Sequence, residues 1–223
     1  MSPGPAGSAG ERRRERLSRS RLYVATGARE DRGDLAEFLE AILSAGVDIV
    51  QLREKDAEAG DLLRWGEVFR EATSRHGALY VVNDRADVAV AAEADGVHVG
   101  QDDLPVALTR KLVGPDLIIG LSTHDEEQLG AASRHADYVS VGPVRETPTK
   151  PGRPATGVAL VAQAARREQR PWFAIGGINE ETLPESVAAG ARRVVVVRAI
   201  TEAADPAGAV RRLLDGLSTA APS

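Results

Sequence analysis

Polar and glycine residues recur in this chain at one relative place, directly after apolar runs. Gln51-Leu52-Arg53-Glu54-Lys55 follows VDIV, Asn83-Asp84 follows ALYVV, and Gln101-Asp102-Asp103 follows GVHVG. Ser122 follows LIIGL, Thr147-Pro148-Thr149-Lys150 comes shortly after YVSVGP, and Gly176-Gly177 follows WFAI. Asp84 and Asp103 end two successive runs. Two carboxylates brought together repel each other unless one is protonated or a cation lies between them. A hard cation such as Mg²⁺ suits one or two carboxylates, with phosphate oxygens and waters completing its shell. The plainer reading is that Asp84 caps the helix after it and Asp102 or Asp103 caps the next.

Arg53, Lys55 and Lys150 bear on that choice. Three cations converging on one mouth need anionic company, and Arg grips phosphate with a bidentate fork where Lys acts as a point charge. Those cations, one divalent metal and two carboxylates leave about three positive charges, which balances a diphosphate rather than a single carboxylate. The competing role for Arg53 and Lys55 is a surface ion pair with Glu54 or Asp56. Gly176-Gly177 leaves backbone amides open to close approach by an anion, or simply makes a tight turn. Gln51, Asn83, Ser122, Thr147 and Thr149 add neutral donors and acceptors. His98, inside GVHVG, reads as a packed core residue, with His124 nearby in sequence. No Walker loop, dinucleotide fingerprint, HExxH or nucleophile elbow is present, since Gly120-Leu121-Ser122-Thr123-His124 lacks the final glycine.

The elements that must position these residues alternate regularly. Expected strands are Leu22–Thr26, Val47–Leu52, Leu79–Asn83, Gly96–Val99, Leu117–Leu121, Tyr138–Val141, Trp172–Ile175 and Val194–Val197. Expected helices are Asp34–Ser44, Asp61–His76, Leu104–Leu112, Glu126–His135, Val158–Glu168, Glu181–Ala189 and Pro206–Leu214, with a weaker one between Asp84 and Ala94. Asp34 and Asp61 stand where N-caps belong, and Gly46 and Gly190 where a left-handed residue ends a helix. The strands are almost uniformly apolar, as when both sheet faces are covered. Eight such units fit a single (β/α)₈ TIM barrel, with a doubly wound open sheet as the alternative. In a barrel, catalytic groups sit at the carboxyl ends of the strands and phosphate is often held after the seventh and eighth.

At 223 residues the chain buries a full core; its hydrophobic content of 43% and charged content of 27% are ordinary for a soluble globular protein. A net charge of −5 offers no global field for nucleic acid or acidic membrane, so an anion site must be a local cluster. With no cysteine there is no thiolate nucleophile or metal ligand. No apolar run reaches the length of a membrane span and no secretory h-region stands near the start, so a cytoplasmic location is the default. Residues 1–20, rich in Gly, Pro, Ser and Arg, read as a disordered basic extension, residues 21–217 as the barrel, and residues 218–223 as a frayed tail. A homo-oligomer is left open.

QLREK, VND, GVHVGQDD, GLSTH, GPVRETPTK, AIGGI and VVRAIT, in this order, resemble the thiamine phosphate synthase family from about Arg21 to Leu214. The resemblance implies a (β/α)₈ barrel that joins the two halves of thiamin. The nitrogen of 4-methyl-5-(2-phosphooxyethyl)thiazole displaces diphosphate from 4-amino-2-methyl-5-(diphosphooxymethyl)pyrimidine, with Mg²⁺. It further implies that Gln51, Leu52, Arg53, Glu54, Lys55, Asn83, Ser122 and Lys150 hold the pyrimidine diphosphate, and that Asp84 and Asp103 hold the metal. Thr147, Pro148, Thr149, Gly177, Val197 and Arg198 would receive the thiazole phosphate. The family commonly has Ser where this chain has Arg198, a change that is harmless if the contact is a backbone amide.

No general base or nucleophile stands out, which suits a reaction whose leaving group departs first. The implied route is dissociative, through a pyrimidine methyl cation, with Arg53, Lys55, Lys150 and Ser122 as the catalytic groups and the segment Gly142–Thr156 closing over the site. Rival readings are a thiazole tautomerase, a regulatory barrel that only binds thiazole phosphate, and another phosphate-binding isomerase or aldolase barrel. The first lacks the diphosphate-binding set, the second has no need of two metal carboxylates, and the third wants a strand-end base.

Overall fold

The computed structural model describes residues 7–132, 134–146 and 155–218. Its parallel strands are β1 (Leu22–Thr26), β2 (Ile49–Leu52), β3 (Leu79–Asn83), β4 (Gly96–Val99), β5 (Ile118–Thr123), β6 (Tyr138–Val141), β7 (Trp172–Ile175) and β8 (Val194–Val196). They pair in chain order, and β8 closes onto β1 through Tyr23 opposite Val195. The barrel is therefore closed, not an open sheet.

Closure explains the unbroken apolar runs. Within β1, Tyr23 points into an inner cluster with Ile49, Leu79, Val81, Ile118, Tyr138, Phe173 and Val195. Its neighbours Leu22 and Val24 point outward, packed in one layer with Phe38, Leu39 and Ile42. Both faces are covered along most of each strand, so polar residues enter the inner face only towards the carboxyl ends, as with Gln51, His98 and Ser122. The outer layer consists of α2 (Leu35–Ser44), α3 (Ala59–His76), α4 (Ala86–Ala91), α5 (Val106–Val113), α6 (Glu126–Ala131), α7 (Gly157–Arg167), α8 (Leu183–Ala188), the short α9 (Arg198–Thr201) and α10 (Pro206–Ser218).

Several ends differ from their sequence signals. Asp34 occupies the N-cap position of α2, but its carboxylate accepts from the Arg29 guanidinium at 2.6 and 2.8 Å rather than from helix amides. Arg29 in turn sits 4.0 Å over the Phe38 ring, so the pair is packed as well as charged. Asp61 lies inside the first turn of α3, whose cap position is Glu58. Gly46 and Gly190 do adopt positive φ, +109° and +106°, where α2 and α8 end. Helix α9 begins where β8 was expected to continue: Val197, at φ −119° and ψ −94°, is its N-cap.

The largest correction concerns the start of the chain. Ala9–Arg19, read from sequence as part of a disordered extension, forms a helix, α1. Ser8 and Glu11 make a capping box at its start, and Leu17 is 1% exposed within the inner barrel cluster. The arginines that looked solvated find partners: Arg13 pairs with Asp95 at 2.9 Å and Arg14 with Asp137 at 2.7 Å. One apolar residue and a ring of turn carboxylates suffice because the closed barrel presents an open lower end for a helix to plug. No helix among the described residues is long and apolar enough to cross a membrane.

Candidate active site

A cavity of about 510 Å³ opens at the carboxyl ends of the strands. Gln51, Arg53, Asn83, His98, Ser122, Gly177, Val197 and Arg198 line it, drawn from six different strands or the turns after them. Its floor is a buried polar chain. Gln51 Nε2 donates to Tyr23 Oη at 2.6 Å, Tyr23 and Tyr138 share a bond of 3.1 Å, and Tyr138 Oη lies 3.0 Å from His98 Nδ1. His98 Nε2 is 2.9 Å from Ser122 Oγ, and the Gln101 amide donates to the Ser122 carbonyl at 2.6 Å.

One arrangement of protons satisfies every member of this chain. Gln51 donates to Tyr23, Tyr23 to Tyr138, Tyr138 to Nδ1 of a neutral His98, and Nε2–H of His98 to Ser122. That leaves the Gln51 carbonyl as an acceptor and the Ser122 hydroxyl hydrogen as a donor at the two ends of the floor. Burial raises the pKa of both Tyr23 and Tyr138, so both remain neutral hydrogen-bonding phenols. Gly120 makes this packing feasible: a Cβ there would fall 2.4 Å from His98 Nδ1 and 2.1 Å from the Tyr138 ring.

The opposite side of the cavity is built from backbone. Gly176 and Gly177 have φ of +104° and +67°, and a Cβ on Gly176 would come within 2.5 Å of Pro143 Cα. These glycines are demanded by conformation and by space at once. Among the described residues, the amides of Gly177, Ile178, Arg198 and Ala199 donate to no hydrogen-bond acceptor, although all four residues line the cavity. Unspent amides facing a cavity suit an anion. Arg198 is half exposed and stands 4.0 Å from Glu202, a loose pair that leaves its guanidinium available.

The remaining expected residues divide. Leu52, 1% exposed, belongs to the outer apolar layer, so its side chain does not face the cavity. Glu54 Oε1 accepts from the Ala28 amide at 2.8 Å and presses on Gly27, where a Cβ would lie 2.2 Å away. It therefore ties the turn after β1 to the turn after β2. Lys55 is exposed beyond the cavity lining. Thr147, Pro148, Thr149 and Lys150, with most of the expected closing segment, lie outside the described residues.

Asp84 and Asp103 stand at the ends of adjacent strands, β3 and β4, whose register pairs Asn83 with His98. Asp84 has φ +59°, an uncommon conformation for a residue other than glycine and one that clusters at functional sites. Neither carboxylate occupies an N-cap position: α4 starts after Arg85 and α5 after Pro105. Asp103 Oδ2 accepts from the Gly100 amide at 2.7 Å, which orients the carboxylate. No group of three or more His, Cys, Asp or Glu among the described residues is placed to cage a metal. Two hard carboxylates without a closed shell fit Mg²⁺, which keeps waters and takes phosphate oxygens.

Sequence reasoning missed Tyr23 and Tyr138, and it took His98 for packing alone. The available signal was that a tyrosine on the inner face of a strand must find a partner for its hydroxyl.

Polar strand ends around one cavity of a closed eight-stranded barrel define a (β/α)₈-barrel enzyme. The comparisons narrow this class. The family model described as thiamine monophosphate synthase matches residues 22–200. A thiamine-phosphate synthase of Thermobifida fusca is 58% identical over 93% of this chain and 97% of its own length. One from Acidothermus cellulolyticus is 56% identical over 92% of this chain and 98% of its own length. The solved thiamine phosphate pyrophosphorylase from Pyrococcus furiosus superposes with a TM-score of 0.82 at 30% identity, covering 94% of this chain and 99% of that one. A 3-hexulose-6-phosphate synthase from Salmonella typhimurium, 18% identical with a TM-score of 0.65 over 90% of this chain and 100% of its own, shares the fold. This chain belongs to the thiamine monophosphate synthase family.

Proposed function

We propose that this chain catalyses the reaction for which its relatives are named, joining the pyrimidine diphosphate to the thiazole phosphate with release of diphosphate. The observation that carries the reading is a single cavity with two unlike sides. A buried donor–acceptor floor suits a planar heteroaromatic ring, and the wall of unspent amides suits a phosphate. A site for one phosphorylated substrate needs only one of these.

Gln51 and Ser122 orient the aminopyrimidine over the floor, held by the tyrosines and His98 beneath. Arg53 and Asn83 on the cavity wall, with Lys55 and Lys150, are assigned to the diphosphate. These side chains stabilise negative charge as the carbon–oxygen bond breaks, so they bind the transition state more tightly than the ground state. Mg²⁺ held by Asp84 and Asp103 would neutralise the departing diphosphate further. The electron-rich ring carries the methyl cation, and the thiazole nitrogen captures it, with its phosphate on the amides of Gly177 and Val197–Ala199. Arg198 adds a cation there rather than a hydroxyl. A soluble cytoplasmic location accords with small phosphorylated substrates.

The test is diphosphate release on mixing the protein with both substrates, with and without Mg²⁺. Release that requires both substrates and metal, with thiamin phosphate formed, is the expected result. Binding of thiazole phosphate without release would overturn it.

A further inference from the structure

We propose that Thr182 is a positioning residue for the thiazole phosphate: it does not grip the anion itself but aims the main chain that does. The inference rests on the reading that amides of the turn after β7 receive that phosphate. Thr182 stands at the N-cap position of α8, where a threonine hydroxyl ordinarily accepts from an amide of the first helical turn. Here it makes no such bond. It faces back across the preceding turn instead, donating to the Gly177 carbonyl at 2.8 Å and accepting from the Asn179 amide at 2.9 Å.

Those two bonds hold the peptide groups on both sides of Ile178. A trans peptide points its C=O and N–H in opposite directions. Drawing the Gly177 carbonyl to Thr182 therefore turns the Ile178 N–H the other way. That N–H finds no acceptor among the described residues, although Ile178 lines the cavity. The preceding peptide is held alike: the Arg145 amide donates to the Gly176 carbonyl at 3.1 Å, which turns the Gly177 N–H away from Arg145. Two successive amides are left unspent because the carbonyls of their own peptide groups are spent, and successive open N–H groups suit an anion. These amides belong to the turn, not to α8.

Thr182 keeps no donor for the ligand. A hydroxyl has one proton, and here it lies on the Gly177 carbonyl. Asn179 buttresses the clamp, its Oδ1 accepting from the amides of Glu181 and Thr182 at 3.0 and 2.9 Å. On the other side the Arg145 side chain closes on Gly177, where a Cβ would lie 2.7 Å from Arg145 Cβ. Glycine supplies the φ of +67° that this position needs, but it is also the residue freest to leave that conformation. The hydroxyl clamp opposes that freedom.

Calorimetric binding of 4-methyl-5-(2-phosphooxyethyl)thiazole and of its dephosphorylated alcohol to the full chain tests this, alongside steady-state turnover. Thr182→Val keeps the shape of the side chain and removes the hydroxyl. It should weaken the phosphorylated thiazole about tenfold, the scale of one hydrogen bond to a charged group, with no change for the alcohol. The KM for the thiazole phosphate should rise by the same factor, while kcat and the KM for the pyrimidine diphosphate stay at wild-type values. Thr182→Ser, which retains the hydroxyl, should bind nearly as tightly as wild type. Equal losses for the phosphorylated thiazole and the alcohol, or a serine variant as weak as the valine one, would mean a general loosening of the turn and overturn the proposal. Unchanged binding in Thr182→Val overturns it while leaving the phosphate site standing. A wild-type chain that does not bind the thiazole phosphate removes that site and this proposal together.

Discussion

The two ends of the barrel use the same residue types to opposite purpose. At the lower end, arginines and aspartates are spent on each other: Arg13 on Asp95, and Arg14 and Arg110 both on Asp137, at 2.6–2.9 Å. Leu17 seals the layer above them. At the upper end Arg53 makes no ion pair with any described residue, yet it lines the cavity, and amides face that cavity without acceptors. A charge neutralised within the fold contributes to stability; a charge held open by the fold is available for a ligand. The lesson is that composition does not separate structural from functional charge, whereas the company each charge keeps does.

The sharpest way to break that contrast is Arg53→Ala. Loss of one preorganised charge on a leaving group costs on the order of 100-fold or more in turnover. Diphosphate release should fall by that factor while the melting temperature stays within a degree or two of wild type; a matching loss of stability would show Arg53 to be structural. Leu17→Ala should do the reverse. Truncating a fully buried leucine costs about 3 kcal/mol, so denaturant unfolding should shift strongly while the folded enzyme keeps its turnover at low temperature. Deletion of residues 1–19 should destabilise at least as much, which separates a plug from a dispensable extension.

Tyr138→Phe lies between the two ends. It removes the hydroxyl that joins Tyr23 to His98, and loss of one such bond is worth about 1 kcal/mol. A several-fold loss of turnover, with little change in thiazole phosphate affinity, would place the floor on the pyrimidine side; equal loss for both substrates would not.

The same burial sets the response to alkali. All three tyrosines of the chain, Tyr23, Tyr80 and Tyr138, have pKa values raised by burial above the ordinary 10.0. Between that value and their folded pKa the unfolded chain loses phenolic protons that the folded chain keeps. The tyrosines' contribution is therefore complete below pH 10 and lost as pH rises beyond it. Phenolate absorbance should appear together with unfolding, not before it. The smallest effect belongs to Arg198→Ser, where about a twofold to threefold change in thiazole phosphate KM is expected for a half-exposed charge. No change would mean that the backbone amide alone makes the contact.

Much of the fold was legible because strand identity follows from local apolar runs. Leu22–Thr26, Leu79–Asn83 and Tyr138–Val141 form as read. The helix ends were less legible: Asp34 looked like a cap, but Arg29 captured its carboxylate across the loop. The cavity residues Gln51, Arg53, Asn83, Ser122 and Gly177 were visible as polar or glycine residues at strand ends, and Arg198 through the family resemblance. Leu52 and Glu54 were not separable from them, because neighbours along a strand point to opposite sides and a turn redirects the side chains beyond it. The plugging role of α1 was hidden too. An arginine-rich segment has no apolar stripe to announce it, and its aspartate partners are more than 80 residues away in sequence.

The sequence by itself determined the alternation of strand and helix, the apolar character of both barrel faces, and the family membership that its ordered motifs signalled. These are local or collinear properties, written in the periodicity and order of residues. Tertiary structure alone decided that the sheet closes, that Tyr23, Tyr138, His98 and Ser122 become one hydrogen-bonded floor, and which arginines are spent and which remain open. The physical reason is that a polar group's function depends on the partners brought within about 3 Å of it, and in a closed barrel those partners come from strands far apart in the chain.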